Sequence, residues 1–191
     1  MVILDAGLTF KGPAPSGGTQ KGIDTIIIHH RAGNGDVQSI HAQHQAQGWW
    51  GIGYHYYIRK DGTVWRGRPE KFVGSHAGSK TDYNYHSIGI CFEGNFETER
   101  MTDPQVEAGR DLIADIKSRH PINKVLKHKD VAATACPGKN IRWEELLASA
   151  PEPVTAVKVG DTTVEGRRFS GMLWVPLESY NEALMEAIRG I

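Results

Sequence analysis

The sequence predicts an α/β domain built on one central mixed β-sheet flanked by helices, with a small β-hairpin/helix segment added at the C-terminus. Three observations carry this reading. Short β-branched or apolar runs such as "TIIIHH" (25–30) are interspersed with stretches of helical periodicity, and one sheet covered by helices is the economical way to bury both. Asp61-Gly62, the strongest short hairpin signal available, joins two strand-like runs. The Pro-containing, aperiodic stretch "APEPVTA" (150–156) then sets apart a remainder of about 35 residues, small for an independent core.

Taken in order, residues 1–22 are rich in Gly, Pro and Thr and read as an irregular lead-in. "TIIIHH" is a buried strand by its β-branched content. "DVQSIHAQHQAQG" (36–48) has high helix propensity and stops at Gly48, a natural C′ residue. "YHYYIRKDGTVWRG" (54–67) is the hairpin, and "SIGICFEG" (87–94) is a further interior strand. In 101–120, Thr102 caps a helix with Gln105 completing a capping box, and Val106, Leu112, Ile113 and Ile116 form its apolar stripe. "KVLKHK" (124–129) is a short strand and "RWEELLAS" (142–149) a terminal helix. The domain reading is therefore 1–149, a linker over 150–156, and an accessory segment over 157–191 with two or three strands and a helix from about Glu178.

At 191 residues the chain has room for one full domain and a remainder. Its 22 basic and 22 acidic residues balance, so nothing electrostatic points to nucleic acid or an anionic membrane as partner. Two cysteines, Cys91 and Cys136, do not make a disulfide framework. No run approaches the 18 or so apolar residues of a membrane span, and the N-terminus lacks the basic and apolar regions of a secretory leader. The expectation is a soluble protein made in the cytoplasm.

The chemistry concentrates in "KHKDVAATACPG" (127–138), where His128 precedes Cys136 by eight positions. Zinc takes imidazole nitrogen and thiolate sulfur, and a catalytic site supplies three such ligands and leaves a fourth position open. The third ligand belongs at an adjacent strand end, where His29 is best placed. Neighbouring strand residues face opposite sides, so only one of His29 and His30 can look into the site. Spacing alone leaves two other readings open: scattered histidines beside a buried free thiol, or Cys136 as a nucleophile working with a histidine. A helical His-Glu-x-x-His site and the nucleoside-deaminase pattern are both missing from the sequence.

The ordered set "TIIIHH", "HQAQGWWGIGYHYYIRKDGTVWRGR", "VGSHA", "NYHSIGICFEGNF" and "HKDVAATACPG" resembles the zinc-dependent N-acetylmuramoyl-L-alanine amidases of the type found in the T7 lysozyme and the peptidoglycan recognition proteins. The resemblance covers about residues 23–147. It implies Zn2+ held by His29, His128 and Cys136, with Tyr54 beside the metal site and Thr134 where the family carries a lysine or threonine that contacts the scissile carbonyl or the water. It also implies that His76, Ala77 and Asn84 line a peptidoglycan groove. Arg31 departs from the small hydroxyl residue common after the histidine pair, and is a candidate contact for a stem-peptide carboxylate.

The implied activity is hydrolysis of the amide between N-acetylmuramic acid and L-alanine. The alternatives are a non-catalytic peptidoglycan-recognition module and a cytoplasmic amidase recycling anhydro-muropeptides. The tail "VKVGDTTVEGRRFSGMLWVPLESYNEAL" resembles short modules, of the copper-amine-oxidase N-terminal-like kind, attached to bacterial surface proteins; wall binding and homodimerisation are both open for it. Together these features imply a phage or prophage endolysin that reaches the wall once a holin opens the membrane. Of the other polar residues, His55 and His44 are expected to be internal, Cys91 a core residue, and His41, His86 and His120 solvated. His30 either orients a partner or packs on the far side of the sheet, and Trp49 and Trp50 either line a sugar-binding surface or cover the core.

Overall fold

The computed structural model describes residues 2–79 and 81–148, together with the backbone of three strands between 153 and 174. The chain divides into two compact units, Met1–Ala148 and Ser149–Ile191.

The first unit carries six strands: β1 (Ile3–Leu4), β2 (Thr25–His30), β3 (Tyr56–Ile58), β4 (Val64–Arg66), β5 (Ser87–Phe92) and β6 (Lys124–Lys127). They form one mixed sheet in the order β1-β4-β3-β5-β2-β6. β3 and β4 are antiparallel, and every other neighbouring pair is parallel. Three helices pack around it: α1 (Val37–Ala46), α2 (Asp103–Arg119) and α3 (Trp143–Leu147). The predicted α/β class with a central mixed sheet is the architecture observed.

Local chemistry accounts for most boundaries. Asp36 caps α1 by accepting from Ser39 N at 2.7 Å, and the capping box of Thr102 and Gln105 opens α2 as expected. The hairpin is closed by Gly62 N donating to Arg59 O at 2.9 Å. Gly62 takes φ +84°, which a side chain resists, and a Cβ there would also meet Pro104 at 2.9 Å. β6 ends at Lys127, two residues short of the expected limit, because His128–Asp130 turn into a 3-10 helix. The lead-in is also more ordered than its composition suggests. Ile3 and Leu4 add an edge strand to β4, and Thr19 bridges to Phe72.

β2 lies between β5 and β6, one strand in from the sheet's edge, and all six of its residues are buried. Its alternate side chains enter different layers. Ile26 and Ile28 join the larger core with Val106, Leu112, Ile113 and Ile116 of α2 and Leu146 of α3. On the other face, Val37 and Ile40 of α1 pack with Ile52, Tyr57 and Cys91. Cys91 is thus the core residue expected. His30 follows the α2 side, where its Nδ1 accepts from Phe96 N at 3.0 Å. His29 follows the α1 side, and this parity aims it at the site.

The second unit contains β7 (Pro153–Val159), β8 (Thr162–Phe169) and β9 (Met172–Trp174), an antiparallel sheet in the order β7-β8-β9. Residues 153–156, expected as linker, are the start of β7, with Pro153 as its first residue. The helix expected from Glu178 lies outside the described residues. Among the described residues no helix is long and apolar enough to cross a membrane.

Candidate metal centre

His29, at the penultimate position of β2, is fully buried and projects from the α1 face of the sheet. β6 runs parallel to β2, with Ile28 opposite Lys127, so the chain leaves the sheet beside His29 and enters the 3-10 turn at His128. The loop then folds back. Ala132 N donates to His128 O at 3.0 Å, and Lys129 N donates to Cys136 O at 2.8 Å. That second bond brings positions 128 and 136 side by side. One nitrogen of each imidazole and the Cys136 sulfur all lie within 4.8 Å of one another.

This donor set fits zinc. Zn–N near 2.0 Å and Zn–S near 2.3 Å put tetrahedral donors roughly 3.5 Å apart, and His29 Nδ1 lies 3.8 Å from Cys136 Sγ. The imidazoles are also in the required state. Burial, reinforced by neighbouring histidines, holds the pKa of His29 well below the ordinary value, and burial lowers that of His128. Both rings are neutral at pH 7, with lone pairs free to bind. His128 Nε2 is buried without a hydrogen-bond partner, an atom the protein alone leaves unsatisfied. Burial raises the Cys136 thiol to about 11, opposed by His30 N, which donates to the sulfur at 3.4 Å. A dication held by these residues would supply the charge that favours the thiolate.

Tyr54 stands over the cluster, its ring centroid 5.1 Å from that of His29. Burial and the adjacent Cys91 and Cys136 sulfurs hold its pKa well above the ordinary value, so the phenol keeps its proton. Thr134 is exposed, and its Oγ1 accepts from Cys136 N at 3.2 Å, shaping the turn before the sulfur. A cleft of about 800 Å3 opens from this point, lined by Tyr54, His76 and His128 at one end and by Lys11, Pro15 and Trp49 along its wall.

The expected groove residues take unequal places. His76 is at the cleft but its ring is buried, and its Nδ1 lies 3.1 Å from His29 Nε2. Ala77 is fully buried and presents no surface to a ligand. Asn84 is occupied by its own loop: Oδ1 accepts from His76 N and Ala77 N, both at 2.9 Å, and Nδ2 donates to Gly78 O. For Ala77 the groove role is corrected to a packing one, and Asn84 shapes the 76–78 loop from the cleft's edge. Arg31 turns toward α1, where a Cβ on Gly35 would lie 3.5 Å from its Nε. Its charge is felt at His44, Tyr54 and Tyr57.

His41, expected in solvent, is buried; it pairs with Thr9 O at 2.9 Å and accepts from Ile52 N at 3.3 Å. His86 and His120 are half-buried against Asp24 and Glu70 respectively. His55 is internal as expected, accepting from Gly89 N at 3.0 Å and bonded to Phe72 O at 3.1 Å. Trp49 is exposed at the cleft; Trp50 lines it too and is stacked on Phe10, with centroids 4.2 Å apart.

The sequence reading missed the lead-in's part in the cleft. Lys11 N donates to Trp50 O and Trp50 Nε1 to Gly12 O, which clips residues 11–16 along the wall. It also missed Arg68. This guanidinium is buried and braces the cleft floor, donating to Ile52 O, Val73 O and Ser75 Oγ. Its position in "VWRGR", beside a hairpin strand, looks like one more surface charge.

Comparison with known proteins agrees with this geometry. Residues 19–139 match the family described as N-acetylmuramoyl-L-alanine amidase. The chain is 39% identical over 133 residues to peptidoglycan-recognition protein SC2 of Drosophila melanogaster, covering 63% of this chain and 70% of that one. It is 35% identical over 139 residues to the endolysin of Escherichia phage T7, covering 66% and 90%. Among solved structures, the N-acetylmuramoyl-L-alanine amidase LysC from Clostridium intestinale superimposes with a TM-score of 0.70 at 39% identity, over 76% of this chain and 95% of that one. With its sheet, its cleft and its His-His-Cys cluster in place, the chain belongs to the N-acetylmuramoyl-L-alanine amidase family.

Proposed function

We propose that this amidase is zinc-dependent and cleaves the amide between the lactyl group of N-acetylmuramic acid and L-alanine, lysing the bacterial wall as an endolysin. The observation that carries the reading is the convergence of His29, His128 and Cys136 beside a protonated Tyr54. Zinc held there supplies electrophilic polarisation of the amide and acidifies water at neutral pH. Two neutral imidazoles and one thiolate leave the site with a net charge of about +1, so it stays electrophilic.

The chain's own groups then act on the amide. Tyr54 O–H donates to the oxygen that gains charge as the carbonyl becomes tetrahedral, and the Thr134 hydroxyl serves as a second donor. One such donor contributes roughly 3 kcal/mol to the transition state. Before substrate binds, the Tyr54 hydroxyl is buried against the Cys91 sulfur and not turned to water. The cleft wall formed by Lys11, Pro15 and Trp49 receives the substrate on either side of the scissile bond. Arg31 is the reserve contact for a stem-peptide carboxylate.

The likeness to T7 endolysin supports action on the wall; holin-type release, and wall binding or homodimerisation by the Ser149–Ile191 unit, complete the proposal. The likeness to peptidoglycan-recognition protein SC2 favours one other reading, a binding module without turnover. The test is zinc content and muralytic activity of the purified protein beside Cys136→Ser. Near one zinc per chain, loss of wall turbidity and new N-terminal alanine, all absent in the variant, is the expected result. Wall binding without zinc or lysis would leave only the recognition module.

A further inference from the structure

We infer that His76 is a positioning residue for the metal: it holds His29 in the tautomer whose Nδ1 lone pair faces the zinc. This rests on the zinc reading above. His29 Nδ1 is the nitrogen turned toward Cys136 Sγ, at 3.8 Å, so a metal held there takes that lone pair. The ring proton must then sit on Nε2. Its partner is His76 Nδ1 at 3.1 Å, which accepts with the His76 proton on its own Nε2, a buried atom that makes no hydrogen bond of its own. A metal-bound histidine needs such an acceptor, because the bond on the far nitrogen sets both tautomer and ring orientation.

The fold builds a fixed seat for the His76 ring. Gly89 of β5 lies opposite Ile27 of β2, two residues from His29, on the sheet face that His29 uses. A Cβ at Gly89 would stand 2.6 Å from the ring, and one at Gly74 2.5 Å from it. Two positions without side chains thus make room for the imidazole. Asn84 Oδ1 pins the main chain at His76 N and Ala77 N. His55 closes the far side edge-on, with centroids 5.4 Å apart, and both of its own nitrogens are already bonded. It therefore walls the His76 ring without competing for its proton. The motifs "VGSHA" and "SIGI" acquire a common purpose: each supplies a glycine for the seat, and the first supplies the ring.

The choice of acceptor also has a consequence. A carboxylate in this place raises the basicity of a ligating histidine. A neutral imidazole does so less, and leaves the metal more electrophilic toward an amide.

The experiment measures zinc affinity by chelator competition for the full chain, His76→Leu and His76→Asn, together with 15N-imidazole NMR of the zinc-loaded wild type. His76→Leu keeps bulk and removes the acceptor, and a 10- to 100-fold loss of affinity is expected. His76→Asn places an amide oxygen near the Nδ1 position, so most of that affinity should return; a purely space-filling role would not distinguish the two variants. The NMR spectrum should show His29 protonated at Nε2 and metal-bound through Nδ1. Unchanged affinity in His76→Leu, failure of His76→Asn to recover what Leu loses, or a His29 bound through Nε2 each overturns the inference while zinc binding by the wild type stands. A wild type that takes up no zinc overturns the zinc reading itself. If His76→Leu does not fold, the wild-type spectrum and the Asn variant decide.

Discussion

Glu70 and His29 are both polar groups folded into the first unit, and their surroundings differ in kind. Around Glu70 everything is paired: Arg119 donates from both terminal nitrogens at 2.8 and 2.9 Å, His120 Nε2 lies at 2.9 Å, and the Tyr56 hydroxyl donates as well. These donors outweigh the cost of burial and hold the carboxyl at about 2. Around His29 stand His76, His128, Cys136 and Tyr54, without a carboxylate among them. Burial there drives every imidazole toward the neutral form. The first cluster is complete as folded and fastens the end of α2 to the loop after β4. The second, on the proposed reading, is completed by a cation. A buried polar group without its partner is costly, so the first adds stability, whereas the second holds donors ready for a metal.

The contrast can be broken at several points. Stripping zinc with a chelator should abolish activity, and with free zinc a thousandfold above Kd it should remove about 4 kcal/mol of stability; denaturant melts with and without chelator read this directly. Tyr54→Phe should lower kcat by about 100- to 1,000-fold, with zinc content unchanged by elemental analysis.

The zinc-free protein should lose stability as pH falls from about 6.5 to 4. His55 illustrates the sign: its folded pKa is about 4 against 6.5 in the unfolded chain, so the unfolded chain takes up the proton first. That residue alone contributes on the order of 3 kcal/mol to the fall, with His29 and His76 acting in the same direction. Glu70 acts in a lower window, its stabilisation intact above about 4.5 and lost as pH drops toward 2.

Glu70→Gln should cost roughly 2 kcal/mol in a thermal or denaturant melt, discounted because Arg119 is partly exposed, and should leave zinc affinity unchanged. The smallest effect belongs to Thr102→Ala, which removes the α2 cap for about 1 kcal/mol and touches neither cluster.

Much of this arrangement is written in short stretches of chain. Asp36, Thr102 with Gln105, and Gly62 mark ends and turns through bonds made within three or four residues, so their outcome needs no distant partner. "TIIIHH" likewise separates His29 from His30, because a strand has a period of two wherever it is placed. Residues 1–22 depart from their composition for the opposite reason. A two-residue strand against β4, and a cleft wall clipped to Trp50, are created by partners more than thirty positions away. His41 was misjudged in the same way: a histidine on a polar helix looks solvated until Thr9 and Ile52 close over it. The role of Asn84 turned on which atoms its loop had already used, and composition carries no sign of that.

By itself, then, the sequence determined most element types, the face on which His29 lies, and a candidate ligand set recognisable from the order of its motifs. Only the tertiary structure decided that Lys129 N would close on Cys136 O and bring that set together, that two glycines would seat His76 behind His29, and that Arg68 would go inside. The reason is range. Caps, turns and strand parity are settled by neighbours along the chain, whereas burial, proton placement and metal geometry depend on groups that meet only after the sheet has formed.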